Sequence, residues 1–254
     1  MKKWILLFII TYLFTINVNS QVLITLLLGD DLNSDKLEFG LEGGGNFSRI
    51  GGLESSSYLK DWNIGFYFDI MIKENKPWNF YTGVLVKSRL GTGNLTEKDV
   101  NKLIPLDTFL TNGTYNQRIN TFIIPVFLKY KFNQYLYIEA GPQFGVMYNA
   151  WVDYKYENND EYIHKKNYNK ELFNKIDFGF AGGTGYRFKG RTGWTVGIKY
   201  YYGIVDAIKS IENSNNQALF LKLNIPIGRS ERAQQKREEK QAKKRAKKEA
   251  KNKN

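Results

Sequence analysis

The chain has no cysteine and, among 254 residues, a single histidine, His164. Without cysteine there is no disulfide framework, no thiolate nucleophile and no cysteine metal site. Beyond residue 20 no window of 18 apolar residues occurs, so the body holds no segment written as a transmembrane helix. The body also lacks a strong charge of either sign. Of the formal net charge of +12, residues 228–254 carry 12 basic and 4 acidic residues, and the first 20 carry Lys2 and Lys3. The stretch between them keeps 23 basic against 21 acidic residues. A basic protein ordinarily points to nucleic acid, but here the excess sits at the ends and the chain begins with an export leader.

That leader is MKKWILLFIITYLFTINVNSQ. Lys2 and Lys3 form its positive start and Trp4–Ile16 its apolar stretch, and the small residues Val18 and Ser20 prepare a cleavage before Gln21. No cysteine follows, which excludes a lipoprotein anchor. The expected organisation is a signal peptide (1–20), a short periplasmic segment (21–36), a barrel (37–227) and a Lys/Arg-rich periplasmic tail (228–254). VLITLLLG (22–29) is apolar but too short to span a bilayer.

What the body does have is alternation of period two. In FIIPVFLKYKF (122–132), Phe122, Ile124, Val126, Leu128, Tyr130 and Phe132 share one face, and Ile123, Pro125, Phe127, Lys129 and Lys131 the other. Eight such runs are expected: 37–47, 61–73, 78–90, 117–132, 134–148, 175–188, 192–205 and 216–227. Their connections alternate strictly between short and long, as in outer-membrane barrels, where periplasmic turns are short and outer loops long. Trp78, Tyr130, Tyr135, Tyr186 and Trp194 lie beside the short turns, where an interfacial girdle belongs. The expected fold is all-β, an eight-stranded antiparallel up-and-down transmembrane β-barrel in the outer membrane with both termini periplasmic. A soluble sandwich or lipocalin-like barrel would be apolar inside and would have no loop asymmetry.

KLEFGLEGGGNFS (36–48), FIIPVFLKYKF (122–132), IEAGPQFGVMYN (138–149), DFGFAGGTGYRF (177–188) and VGIKYYYGIVD (196–206) together resemble the outer-membrane β-barrel family widespread in Bacteroidota, which includes PorT-like proteins. The resemblance covers about 37–227. It implies an outer-membrane location and a role in secretion support, adhesion or envelope integrity; its motifs are fold signatures that carry no catalytic information, and no catalytic residue and no cofactor are expected. This chain departs from the pattern in ending its last strand on IPIG, followed by the tail.

By parity, Glu42, Asp69, Lys87, Lys129, Glu139, Asp177, Lys199 and Lys222 point inward, where mixed charges in a narrow lumen are expected to pair into a closed ionic core. An open lumen would instead make a small porin-like channel. In the tail, Arg229, Arg232, Lys236, Arg237, Lys240, Lys243, Lys244, Arg245, Lys247 and Lys248 lie among good helix formers. They are expected to dock on a periplasmic polyanion (peptidoglycan or anionic lipid) or on an acidic partner protein. Each such cation is worth about 1 kcal/mol at an anionic surface. His164, with Asp160 and Glu161 near in sequence, is the one seat for a hydrolase. One histidine with scattered carboxylates makes a poor metal site, and only a weak oxygen-ligand Ca²⁺ site compares with it. GGGNFS (43–48) and GTGN (91–94) open no βα unit and are not phosphate loops.

Overall fold

The structure, a computed structural model, describes residues 36–74, 76–104, 112–158, 161–188 and 193–227. The leader, the segment 22–29 and the basic tail lie outside the described residues. The compact unit Asp35–Pro226 contains nine strands: β1 (Leu37–Ile50), β2 (Leu59–Met71), β3 (Trp78–Thr92), β4 (Thr114–Lys131), β5 (Leu136–Asn158), β6 (Glu161–Tyr168), β7 (Ile176–Arg187), β8 (Thr195–Asp206) and β9 (Asn215–Pro226). One short helix, α1 (Glu97–Leu103), joins β3 to β4. All pairings are antiparallel. The sheet order β4-β3-β2-β1-β9-β8-β7-β5-β6, with a further β4–β5 pairing, closes eight strands into a barrel. Closure leaves no unpaired edge within the membrane, which hydrocarbon requires of any strand structure.

The ninth strand departs from the eight runs read in the sequence. Of residues 149–174, expected as a loop, Asn149–Asn158 continue β5, and β6 pairs with this extension from Trp151↔Tyr168 to Asn158↔Glu161. β4 follows on the other side, from Thr114↔Lys155 onward. The result is a three-stranded fin standing past the level where β5 leaves β7, at Val146↔Ile176.

Alternation builds the wall. Phe66, Phe68 and Ile70 of β2, Leu128 of β4, Phe144 of β5, Phe180 of β7, Ile198 of β8 and Leu221 of β9 turn outward, and their neighbours on either side turn inward. At the turn end the outward aromatics pair up: Trp78 with Tyr130 at 4.8 Å, Tyr135 with Tyr186 at 5.8 Å and Tyr186 with Phe188 at 5.2 Å between ring centroids. Pro125, which removes a ladder donor, sits where β4 loses its pairing to β3, between Val126 and Ile123. Two glycines are required by close approach. Gly44 and Gly91 have φ +153 and +148, and a Cβ on them would lie 2.0 Å from the Leu221 carbonyl oxygen and 1.9 Å from that of Gln117.

Candidate functional site: the barrel interior and its mouth

Inside the turn-end half, charges from seven strands converge. Asp69 of β2 accepts from Lys129 at 3.1 Å and Lys131 at 3.3 Å, both on β4, and from the Asn79 amide. Lys129 also reaches Glu139 of β5 at 3.3 Å, and Lys222 of β9 binds the same carboxylate. Arg187 of β7 holds Glu38 of β1 with two nitrogens, at 2.6 and 2.8 Å, and the Tyr67 hydroxyl donates to Glu38 at 2.8 Å. Tyr81 stands at the centre. The Lys129 and Lys222 ammonium groups lie 4.0 and 3.7 Å from its ring centroid. Its hydroxyl donates to Glu42 and accepts from Asn224 at 2.9 Å. Lys199 makes a long ion pair to Glu42, 3.9 Å, and lies over the Phe220 ring at 4.6 Å. A cation on an aromatic face is attracted by the ring quadrupole, more so where water is excluded. The aromatic rings therefore carry part of the work that solvent does elsewhere.

Of the eight residues assigned inward by parity, Glu42, Asp69, Lys129, Glu139, Asp177, Lys199 and Lys222 lie buried in the lumen. Asp177 stands apart from the network and accepts from Asn216 at 3.0 Å. Lys87 is the correction. Across β3 the register to β4 jumps from Leu85↔Ile123 to Ser88↔Thr121, so Val86 and Lys87 together oppose one residue. This β-bulge turns both of them outward, and Lys87 lies over the outward Trp62 ring at 4.6 Å. Sequence reasoning missed Glu38, Arg187 and the inward tyrosines 67, 81 and 137, although all but Tyr81 share the parity of a charge found on their own strand.

The loop end is filled by different chemistry. Ile50, Leu95, Val100, Leu103, Ile119, Met147, Val152, Phe173 and Ile208 form one buried apolar cluster drawn from strand ends, α1 and three connections. α1 enters it through a capping box. The Thr96 hydroxyl accepts from the Asp99 N–H, and Asp99 accepts from the Thr96 N–H. The Asp99 carboxylate also takes the backbone N–H groups of Glu54 at 2.8 Å and Ser55 at 2.9 Å, pinning the β1–β2 connection to the helix. Asn169 donates to the Leu103 carbonyl at 3.2 Å and to Gln117 at 2.9 Å.

His164 lies on β6, away from both interior regions. Its ring meets Asp153, and Arg118 binds the other oxygen of that carboxylate at 3.1 Å while also holding Asp61. Asp153 stands on the fin, past the membrane-spanning part of β5. Burial pushes its carboxyl up, but the His164 hydrogen bond and the Arg118 guanidinium outweigh this and hold it below the ordinary aspartate value. Asp160 lies outside the described residues. The imidazole thus serves to tie β6 to β4 and β5. Among the described residues, no three His, Cys, Asp or Glu side chains gather in a way that would hold a metal ion.

A family model described as an outer membrane protein beta-barrel domain matches residues 30–209. The chain belongs to that family. It is an outer-membrane barrel, and β9, beyond the matched stretch, supplies the strand that closes it. No curated protein matches the chain. Among solved structures, the barrel is similar to Ail, the attachment invasion locus protein of Yersinia pestis, in complex with the heparin analogue sucrose octasulfate. That match is 9% identical, covers 74% of this chain and 97% of that one, and has a TM-score of 0.37. Neisserial surface protein A is 11% identical, with 74% and 96% covered and a TM-score of 0.38. OprG from Pseudomonas aeruginosa is 11% identical, with 75% and 93% covered and a TM-score of 0.34.

Proposed function

We propose that this outer-membrane barrel is a non-conducting, non-enzymatic envelope component that works by binding, as an accessory or scaffold of the kind its resemblance to PorT-like proteins implies. In this reading the turn end and both termini face the periplasm, and the outer loops face outward. The basic tail, Arg229 to Lys248, docks on a periplasmic polyanion such as peptidoglycan or anionic lipid, or on an acidic protein. The observation that supports it is the filled interior. Fully buried Tyr67, Tyr81, Phe127, Lys129, Lys199 and Phe220 occupy the lumen, and the apolar cluster covers the mouth above them. A lumen packed in this way has side chains where a channel needs water.

The test uses the full chain folded in detergent, whose boiled and unboiled forms should differ in gel mobility. Incorporated in planar bilayers it should give no steady conductance; sustained open steps overturn the non-conducting reading. The full chain and a chain stopped after Gly228 are then sedimented with peptidoglycan. The full chain should bind, the shortened one should not, and binding should fall as salt rises. Equal sedimentation of the two removes the tail from the reading. His164→Ala should leave any envelope phenotype unchanged, and a loss that follows the imidazole alone restores the hydrolase alternative.

A further inference from the structure

The outer wall of the barrel is not uniform at its loop end. On β3, the residues past the bulge that face outward are Lys87 and Arg89. Arg89 lies over the Trp151 ring at 5.5 Å, and Lys166 of β6 lies over the same ring at 5.6 Å. Lys87 rests on Trp62. Arg89 is therefore flanked on one side by Lys87, two residues away on its own strand and face, and on the other by Lys166, with which it shares Trp151.

The nearby carboxylates account for Arg89 and leave the two lysines over. Asp61 is held by Arg118 and, at 3.3 Å, by Arg89, and Asp153 by Arg118 and His164. Lys87 and Lys166 are exposed and have no ion pair among the described residues. The patch thus carries surplus positive charge on a membrane-facing wall.

Its height decides what it faces. From Trp78 in the turn-end girdle to Lys87, β3 climbs roughly 23 Å at ~3.3 Å per residue and about 40° of tilt. That is close to the ~25 Å of an apolar band. Below the patch the wall is Phe80, Val84 and Val86 on β3 and the outward residues from Phe122 to Leu128 on β4; above Arg89 the fin begins, and Lys166 belongs to it. Lys87 and Arg89 therefore sit where lipid headgroups begin, and Lys166 comes to them from the fin through the Trp151 ring it shares with Arg89. A soluble partner would meet the loops above before it met this ring of charge.

We infer that Lys87, Arg89 and Lys166 form a site for the phosphate of an outer-leaflet lipid headgroup, with exposed Trp62 as its aromatic wall and buried Trp151 as the floor under Arg89 and Lys166. It rests on the loop end facing outward, as proposed above, and is independent of the tail. Arg89, with Nη1 on Asp61 and Nε donating to Asn120 at 3.3 Å, offers its remaining nitrogen, Nη2, to a phosphate oxygen, and the lysines supply the unpaired charge on either side.

The full chain is folded into nanodiscs of zwitterionic lipid doped with bisphosphorylated lipid A, with its dephosphorylated form, or with phosphatidylglycerol. Lipid retained through purification is then counted by native mass spectrometry. The expected result is retention of the bisphosphorylated lipid over its dephosphorylated form, with weaker retention of phosphatidylglycerol. Retention should fall roughly fivefold for Lys87→Gln or Lys166→Gln, the worth of one cation at an anionic surface. It should stay unchanged in Lys76→Gln at the turn end. Equal retention of the phosphorylated and dephosphorylated lipids overturns the site without needing any variant. So does equal retention by wild type and the Lys87→Gln/Lys166→Gln double variant, each checked for heat-modifiable mobility. Preference for phosphatidylglycerol places the wrong leaflet at this end. Capture of a soluble acidic protein with no lipid preference replaces the lipid by that partner. Failure of the tail test above leaves all these outcomes readable.

Discussion

The interior of the barrel changes character along its axis: paired charges and tyrosines fill the turn-end half, and mainly apolar side chains fill the mouth. The two regions are equally buried but held by different physics. In the lower half each charge depends on a particular partner, because taking an ion out of water costs several kcal/mol that only a well-placed counterion and further polar contacts offset. In the upper region the attraction is non-directional and scales with area, so no single residue is indispensable. One region should be brittle to single changes and the other forgiving.

The largest break in that comparison is Glu139→Ala. It leaves Lys129 and Lys222 buried on the Tyr81 ring with one carboxylate fewer, and removing one partner of a buried pair costs about 3–5 kcal/mol. Urea unfolding of the detergent-folded protein, followed by the boiled–unboiled gel shift, should show the whole barrel weakened. Leu103→Ala in α1 should cost about 2–3 kcal/mol, but locally. The loops should become open to protease while the barrel keeps its heat-modifiable mobility. Global loss of that mobility would mean the mouth and the wall are one cooperative unit. Asp99→Ala removes the capping box and frees the Glu54 and Ser55 N–H groups, at about 1–2 kcal/mol, with protease cleavage between β1 and β2 as the readout.

The smallest effect is in the fin. Asp153 is held below the ordinary aspartate value, so it binds its proton more readily unfolded than folded. Its stabilisation is therefore present above about pH 3.9 and is lost as pH falls through the lowered folded value. Trp151 fluorescence should change in that acid window, and Asp153→Asn should abolish the transition there.

Legibility followed the pleat. Strict alternation sends every second residue inward, so counting by two found one buried carboxylate or lysine on each of β1, β2, β4, β5, β7, β8 and β9. It failed at Lys87 because a bulge adds one residue to the count, and nothing in GVLVKSRL marks it. The tyrosines were passed over since an aromatic suits a lipid-facing wall as well as a lumen. β6, EYIHKKNY, has no apolar face of its own; it is a strand because the extended β5 offers it a partner. The mouth was invisible because, beyond the strand ends, its residues come from three separate connections with no common period: Val100 and Leu103 from α1, Phe173 from the β6–β7 connection and Ile208 from the β8–β9 connection. Thr96–Asp99, however, is a helix-start signal that was there to be read.

The pairing of β1 with β9, Leu41 opposite Ile225, has a temporal meaning. The first strand of the wall cannot meet its partner until the last has been delivered, so the strand pairing most distant in sequence among the described residues is also the one that completes the ring. Contacts of such sequence separation make folding slow. Until then β1 and β9 present bare edges, open to pairing with other chains, and Lys222, carried on β9, has yet to reach Glu139. The order of synthesis thus runs opposite to the order of need, and the unclosed chain depends on being shielded for as long as the gap stays open.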